Sequence, residues 1–320
     1  MERTPIIIDS DMALGSSHAD IDDAIAILLA LDNPSLDVLA ITGSGGNVSV
    51  DHSCRNIDRL LKLLGKSDIP HCFSMSRPLD ATLWVDARWR QQEQEDILGQ
   101  DCSFTSSDLI RKTLRESSVP ITLISLGPLT NIALALVTEP ELCKKVRKLV
   151  MMGGSFRTPG VSGGPAEFNI KADPEAAALV MCLPIDILMF GLDVTKKKTV
   201  RPEDIVQWDR GDSPFLRYLH DASEAFMHFR AKRDGYDEPY AFFHDALPVI
   251  YLSNPELFEM VPCSISVDTS GFLTRGVTVI DTKILACDAR HQYAADVDEE
   301  KVFSLILNRV SDGYRDIKGF

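Results

Sequence analysis

The sequence predicts an α/β protein: one open, mostly parallel sheet flanked by helices. Three observations predict it. Strand-like and helix-like segments alternate from the N-terminus to about Thr195. The strand-like segments are short continuous apolar runs, as expected of parallel strands buried on both faces. Candidate polar residues gather just past the ends of those runs, on the edge where open α/β sheets bind ligands.

Taken in order, Pro5-Ile6-Ile7-Ile8 opens the first strand, Ile6–Asp9, and the apolar periodicity from Asp22 to Leu31 predicts a helix. Strand Asp37–Thr42, a helix over Val50–Leu64 and strand Ile69–Phe73 follow. Ser74–Phe104 is polar and rich in Trp and Gln. Ser107–Ser117 reads as a serine-capped helix and Ile121–Leu126 as a strand. Gly127-Pro128 then turns the chain, with proline early in the next helix, Leu129–Leu136. Strand Lys148–Met152, a loop over Gly153–Ile170, helix Pro174–Cys182 and strand Ile185–Leu192 complete the alternation. Beyond Thr195 the pattern is more helical (Pro202–Trp208, Phe215–Arg233, Asp245–Leu252). Three short strands then follow, Ser264–Val267, Val277–Ile280 and Lys283–Ala286, and a last helix near Asp298–Arg309. No repeat, low-complexity segment or linker-like stretch interrupts the chain, so residues 1–320 read as a single domain.

Composition narrows the function classes. A chain of 320 residues with 45% hydrophobic content can bury a sizeable core. A net charge of −14 argues against nucleic acid and anionic membranes as partners. Seven cysteines without C-x-x-C pairing suggest reduced thiols, and hence a cytoplasmic protein. No signal peptide precedes the first strand, and no apolar stretch reaches membrane-spanning length.

The chemistry concentrates between positions 9 and 23, where Asp9, Asp11, Asp20, Asp22 and Asp23 stand at a strand-to-helix junction. Like charges this close raise one another's pKa unless a cation neutralises them, and oxygen-only ligands favour hard Ca²⁺ or Mg²⁺. Helix capping accounts for Asp20 and Asp22, but not for Asp9 and Asp11 at the end of an apolar strand. Asn47, Gly127, Glu167 with Asn169, and His244-Asp245 fall at other strand ends or loop-to-helix junctions. Each has an ordinary structural reading alone: a surface Glu, a packed His, a helix cap, a turn. Trp84, Trp89, Tyr236 and Tyr240 lie in polar loops and either stack on a planar ligand or pack on their own scaffold.

Read together and in order, these segments resemble the nucleoside hydrolase family. The resemblance rests on Asp9-Ser10-Asp11 with Asp22-Asp23-Ala24, Gly46-Asn47-Val48, and Leu126-Gly127-Pro128-Leu129-Thr130-Asn131. It continues through Met152-Gly153-Gly154, Ala166-Glu167-Phe168-Asn169-Ile170 with Asp173-Pro174-Glu175, and His244-Asp245-Ala246. It implies the nucleoside hydrolase fold with a Rossmann-like core. It also implies Ca²⁺-dependent hydrolysis of the N-glycosidic bond of ribonucleosides, through an oxocarbenium-like transition state. By the same resemblance Asp11, Asp23, the carbonyl of Leu126 and Asp245 match the metal ligands, and Asp11 also matches the general base acting on the attacking water. Asp22, Asn47, Glu167, Asn169 and Asp245 match groups that hold the ribose, and His244 a catalytic residue beside the leaving base, its proton donor in some members. Family members are commonly dimers or tetramers, so a homo-oligomer is expected.

Three departures qualify the transfer. A longer loop, Met12–Ile21 with His18, replaces the family's short Pro-Gly connection. Val161 stands where many members have an Asn near the sugar's 5′ end, with Ser162 next to it. The segment after Arg77-Pro78-Leu79 lacks the usual His-Gly. Base preference therefore does not transfer. A modified or 5′-substituted N-riboside as substrate, or a silent nucleoside-binding protein, are the competing readings. The retained Asp11 argues against the silent one, because binding alone needs no general base.

Overall fold

The computed structural model of this chain describes residues 3–16, 20–72, 79, 104–160, 164–283 and 290–317. The isoleucine run of β1 (Thr4–Ser10) divides the interior. Ile6 and Ile8 enter one apolar core and Ile7 the other, since successive side chains of a strand point to opposite faces. On one side of β1 lie β2 (Leu36–Gly43) and β3 (His71–Cys72); on the other lie β4 (Ile121–Ser125), β5 (Val146–Met152) and β6 (Ile187–Phe190). All these pairings are parallel. Three strands complete the order: β7 (Phe258–Val267), β8 (Thr278–Asp281) and β9 (His291–Val297). β9 pairs in parallel with β6, whereas β7 runs antiparallel to β9 and β8 antiparallel to β7. The sheet reads β3-β2-β1-β4-β5-β6-β9-β7-β8.

The helices cover both faces. α1 (Asp22–Asp32), α2 (Val50–Leu63), α8 (Pro202–Asp209), α9 (Pro214–Asp234), α10 (Ala246–Tyr251) and α11 (Glu299–Tyr314) contribute to the core that holds Ile6 and Ile8. On the Ile7 side lie α3 (Ser106–Glu116), α4 (Thr130–Val137) and α6 (Pro174–Met181). Two short helices, α5 (Phe168–Ala172) and α7 (Leu192–Thr195), sit beyond the carboxyl ends of β5 and β6. Among the described residues no helix is long and apolar enough to cross a membrane.

The structure departs from the sequence expectation in four places. β9 was not expected, because His291, Gln292 and Asp296 interrupt its apolar pattern; main-chain pairing on both sides holds it as a strand. β7 starts at Phe258 rather than Ser264, with Glu259 and Pro262 disguising its first half. Leu192 belongs to α7, not to the preceding strand. Of the expected strand Lys283–Ala286 only Lys283 is described, and it lies outside any strand. His18, Trp84, Trp89, Val161 and Ser162 lie outside the described residues.

Candidate active site

Seven parallel strands place their carboxyl ends on one edge, and the acids collect there. On β1, Asp9 accepts hydrogen bonds from the Thr42 hydroxyl (2.6 Å) and the Asn131 amide (2.8 Å). Burial pushes its pKa up to about 6. One oxygen of Asp11 accepts the backbone N–H of Asn47, while Oδ1 is buried without a protein partner. Glycines make room for this carboxylate. A Cβ at Gly46 would overlap it, and one at Gly127 would come within 2.9 Å of Oδ1.

α1 begins on the same edge, with Asp22 and Asp23 in its first turn, where helix N–H groups and the helix dipole favour negative charge. Asp23 is fixed by the Ser10 hydroxyl at 2.6 Å and by the Asn47 side-chain amide at 3.2 Å. Asp245 leads into α10, which packs against α1. Carboxylate oxygens of Asp22, Asp23 and Asp245 lie within 4.8 Å of one another, all buried. Burial pushes Asp11 up to about 8, with the charge of Asp22 adding to it. Asp22, Asp23 and Asp245 are driven well above the usual carboxylate range, by burial first and then by neighbouring acids. Oxygen-only donors, crowded, desolvated and in one case unpartnered, fit a hard divalent cation and not a thiolate-preferring metal.

Of the sugar-side candidates, Asn47 touches this cluster, and Glu167 and Asn169 gather at the Leu126 carbonyl. Glu167 caps α5, its carboxylate accepting the N–H groups of Gly154 (2.9 Å), Asn169 (2.8 Å) and Ile170 (3.1 Å). The Asn169 amide donates to the Leu126 carbonyl at 2.7 Å and to that of Met152 at 3.2 Å. Leu126, Glu167 and Asn169 thus form one hydrogen-bonded group. The proposed metal carbonyl already accepts one bond and keeps a lone pair. Asn47 serves the acids directly, through its backbone to Asp11 and its side chain to Asp23.

His244 packs against Phe242, ring centroids 5.2 Å apart, and Nδ1 lies 2.8 Å from the Thr195 hydroxyl. Its pKa is held well below the ordinary histidine value, first by burial and then by the positive charges of Arg230 and Lys196. The ring is therefore neutral at pH 7.

The profile of the inosine-uridine preferring nucleoside hydrolases matches residues 6–304. The chain belongs to the nucleoside hydrolase family. This hydrolase is 35% identical to a pyrimidine-specific ribonucleoside hydrolase of Citrobacter koseri, covering 96% of this chain and 98% of the relative. A namesake from Salmonella arizonae is 37% identical with the same coverage. Among solved structures, a plant nucleoside hydrolase superposes with a TM-score of 0.81 at 29% identity, covering 96% and 99% of the two chains. The purine-preferring ribonucleoside hydrolase of Gardnerella vaginalis gives 0.82 at 24% identity over 98% and 99%, a likeness of fold. The hydrolase is accordingly an enzyme of the N-glycosyl hydrolase class.

Sequence reasoning missed two groups at the His244 end. The Arg230 guanidinium, on α9, lies 5.1 Å from the Tyr240 ring centroid and 5.0 Å from that of Phe242. It approaches Asp20, in the lengthened loop, to 3.9 Å. Thr195 had marked only the end of a pattern. No local signal distinguishes either residue, since an Arg inside a charged helix and a Thr after a strand are commonplace.

Proposed function

We propose that the hydrolase cleaves the N-glycosidic bond of ribonucleosides, pyrimidine nucleosides foremost, to give ribose and free base with one bound Ca²⁺. The observation that carries this reading is the buried oxygen cluster, Asp22, Asp23 and Asp245, with Asp11 beside it and one Asp11 oxygen unpartnered. The pyrimidine preference rests on the relatives at 35% and 37% identity, which are named for it.

Asp11, Asp23, Asp245 and the Leu126 carbonyl are the groups that would hold the ion. Bound there, Ca²⁺ supplies a site for oxygen ligands and makes a water easier to deprotonate. Asp11 acts as general base, for which the carboxylate is suited by the buried Oδ1 that no protein group engages. Asp22, Asn47, Glu167 and Asn169 line the ribose, and the carboxylates of Asp22 and Glu167 favour an oxocarbenium-like transition state over the neutral ground state. Attack by water with no covalent intermediate inverts the anomeric carbon. His244 stands at the leaving base as a neutral hydrogen-bonding group. The test is release of reducing sugar from uridine, cytidine, inosine and adenosine, together with metal analysis of the purified protein. Faster release from the two pyrimidines and near-stoichiometric Ca²⁺ support the reading. No ribose from any nucleoside, by protein supplied with Ca²⁺, overturns it.

A further inference from the structure

We infer that Thr195 is a positioning residue that fixes His244 as the Nε2–H tautomer, presenting that N–H to a carbonyl oxygen of the departing base. The inference rests on the nucleoside-hydrolysis reading above. Its starting point is hydrogen-bond accounting. The Thr195 side chain is buried, and among the described residues its hydroxyl has one hydrogen-bond partner, His244 Nδ1 at 2.8 Å. A buried hydroxyl proton left without an acceptor costs about 1–3 kcal/mol. The O–H therefore donates to Nδ1, Nδ1 keeps its lone pair, and the ring proton resides on Nε2. Nδ1–H donating to Thr195 would strand the hydroxyl proton.

The placement of Thr195 is rigid. α7 is anchored to the segment after β5 by Leu192 N–H donating to the Gly154 carbonyl at 2.9 Å. The Asp193 carboxylate accepts the backbone N–H groups of Phe156 (2.7 Å), Arg157 (2.7 Å) and Thr158 (3.0 Å). Gly191 packs so closely on that segment that an added Cβ would lie 2.8 Å from the Gly154 oxygen. One short helix thus holds the chain that leads to Glu167 through Asp193, and the ring of His244 through Thr195. When the C–N bond breaks, its electron pair passes to the base and spreads onto the carbonyl oxygen. An Nε2–H already aimed there stabilises that charge without giving up its proton.

The test compares Thr195→Val, which keeps shape and removes the hydroxyl, with Thr195→Ser, which retains it. The substrates are uridine and 4-nitrophenyl β-D-ribofuranoside, whose leaving group is stable as an anion without help. We expect Thr195→Val to lower kcat on uridine about 10- to 100-fold, part of the 10²–10⁴-fold that a positioned proton-donor group contributes. On the nitrophenyl riboside the change should stay within about twofold by the same reasoning, and Thr195→Ser should recover most of the uridine turnover. ¹⁵N NMR of the imidazole should show His244 protonated at Nε2 in the wild type and a mixture of tautomers in Thr195→Val. Equal losses on both substrates, no loss on either, or a wild-type ring protonated at Nδ1 each overturn the inference. A wild type that releases ribose from neither substrate overturns the hydrolysis reading itself, and the catalytic half of this inference with it. The tautomer measurement decides the pairing of Thr195 with His244 independently of turnover.

Discussion

Removing and restoring Ca²⁺ should shift the thermal stability of this hydrolase by an amount that depends on pH. In the metal-free fold the Asp11 carboxyl titrates near 8, against an ordinary value of 3.8. Between those values the folded chain holds a proton that the unfolded chain has released. Stability of the metal-free protein is therefore highest near pH 4 and declines as pH rises toward 8. At pH 7 this one carboxyl accounts for at most about 4 kcal/mol of lost stability, taking about 1.4 kcal/mol per pH unit. Asp22, Asp23 and Asp245 shift in the same direction and add to the effect. Ca²⁺ at a hundredfold excess over Kd returns about 2.7 kcal/mol. For a chain of this size that corresponds to a rise in Tm of roughly 5 °C. Protons compete with the ion for the same oxygens, so the rise should shrink to less than half at pH 5.5. Calorimetry of chelator-treated protein with and without CaCl₂, at pH 5.5 and 7.5, measures it. A rise of the same size at both pH values, or none at pH 7.5, would refute the linkage between the buried acids and the ion. Asp23→Asn supplies the opposite sign: it relieves repulsion, so metal-free Tm should go up while the response to Ca²⁺ disappears.

Three further outcomes are expected. Asp11→Asn, assayed with Ca²⁺ in excess because the same carboxylate is a proposed ligand, should lower kcat by roughly 10²–10⁴-fold, the contribution of a general base; near-normal turnover would remove Asp11 from that role. Gly46→Ala pushes a methyl into the Asp11 carboxylate and should cost at least about 10²-fold in kcat/KM, with circular dichroism showing an intact fold. Tyr314→Phe deletes the buried bond from the Tyr314 hydroxyl to the Leu28 carbonyl (2.7 Å), a group that none of the proposed ligands contacts. It should cost about 1 kcal/mol in denaturant unfolding and leave kcat unchanged.

What could be read from the sequence follows physical locality. Ile6–Asp9 and Ile121–Leu126 were legible because a strand covered on both faces must be apolar throughout. Asp9, Asp11, Asp22 and Asp23 were legible because their density exceeds what helix capping needs. β9 escaped because its identity comes from its neighbours: His291 and Asp296 are tolerated where β6 and β7 satisfy the backbone on either side. Thr195 and Arg230 escaped for a related reason, as each acquires meaning only from a partner far away in sequence, Thr195 at His244 and Arg230 at Asp20. Asn47 was read from the family resemblance as a ribose contact. Its bonds to Asp11 and Asp23 depend on how the turn after β2 lies across β1.

The position of β9 bears on how the chain is made. β6 ends at Phe190, and its outer edge is completed only when His291–Val297 arrives, so β7 and β8 emerge from the ribosome before the strand they dock through. Throughout that interval the apolar sequence Ile187-Leu188-Met189-Phe190 presents unpaired backbone groups, a template for pairing with another nascent chain. Translation that stalls between Phe190 and His291 should therefore leave an aggregation-prone intermediate that depends on chaperones. Chains truncated before His291 should accumulate in the insoluble fraction even though residues 9 to 245, which carry all the proposed ion ligands, have been synthesised.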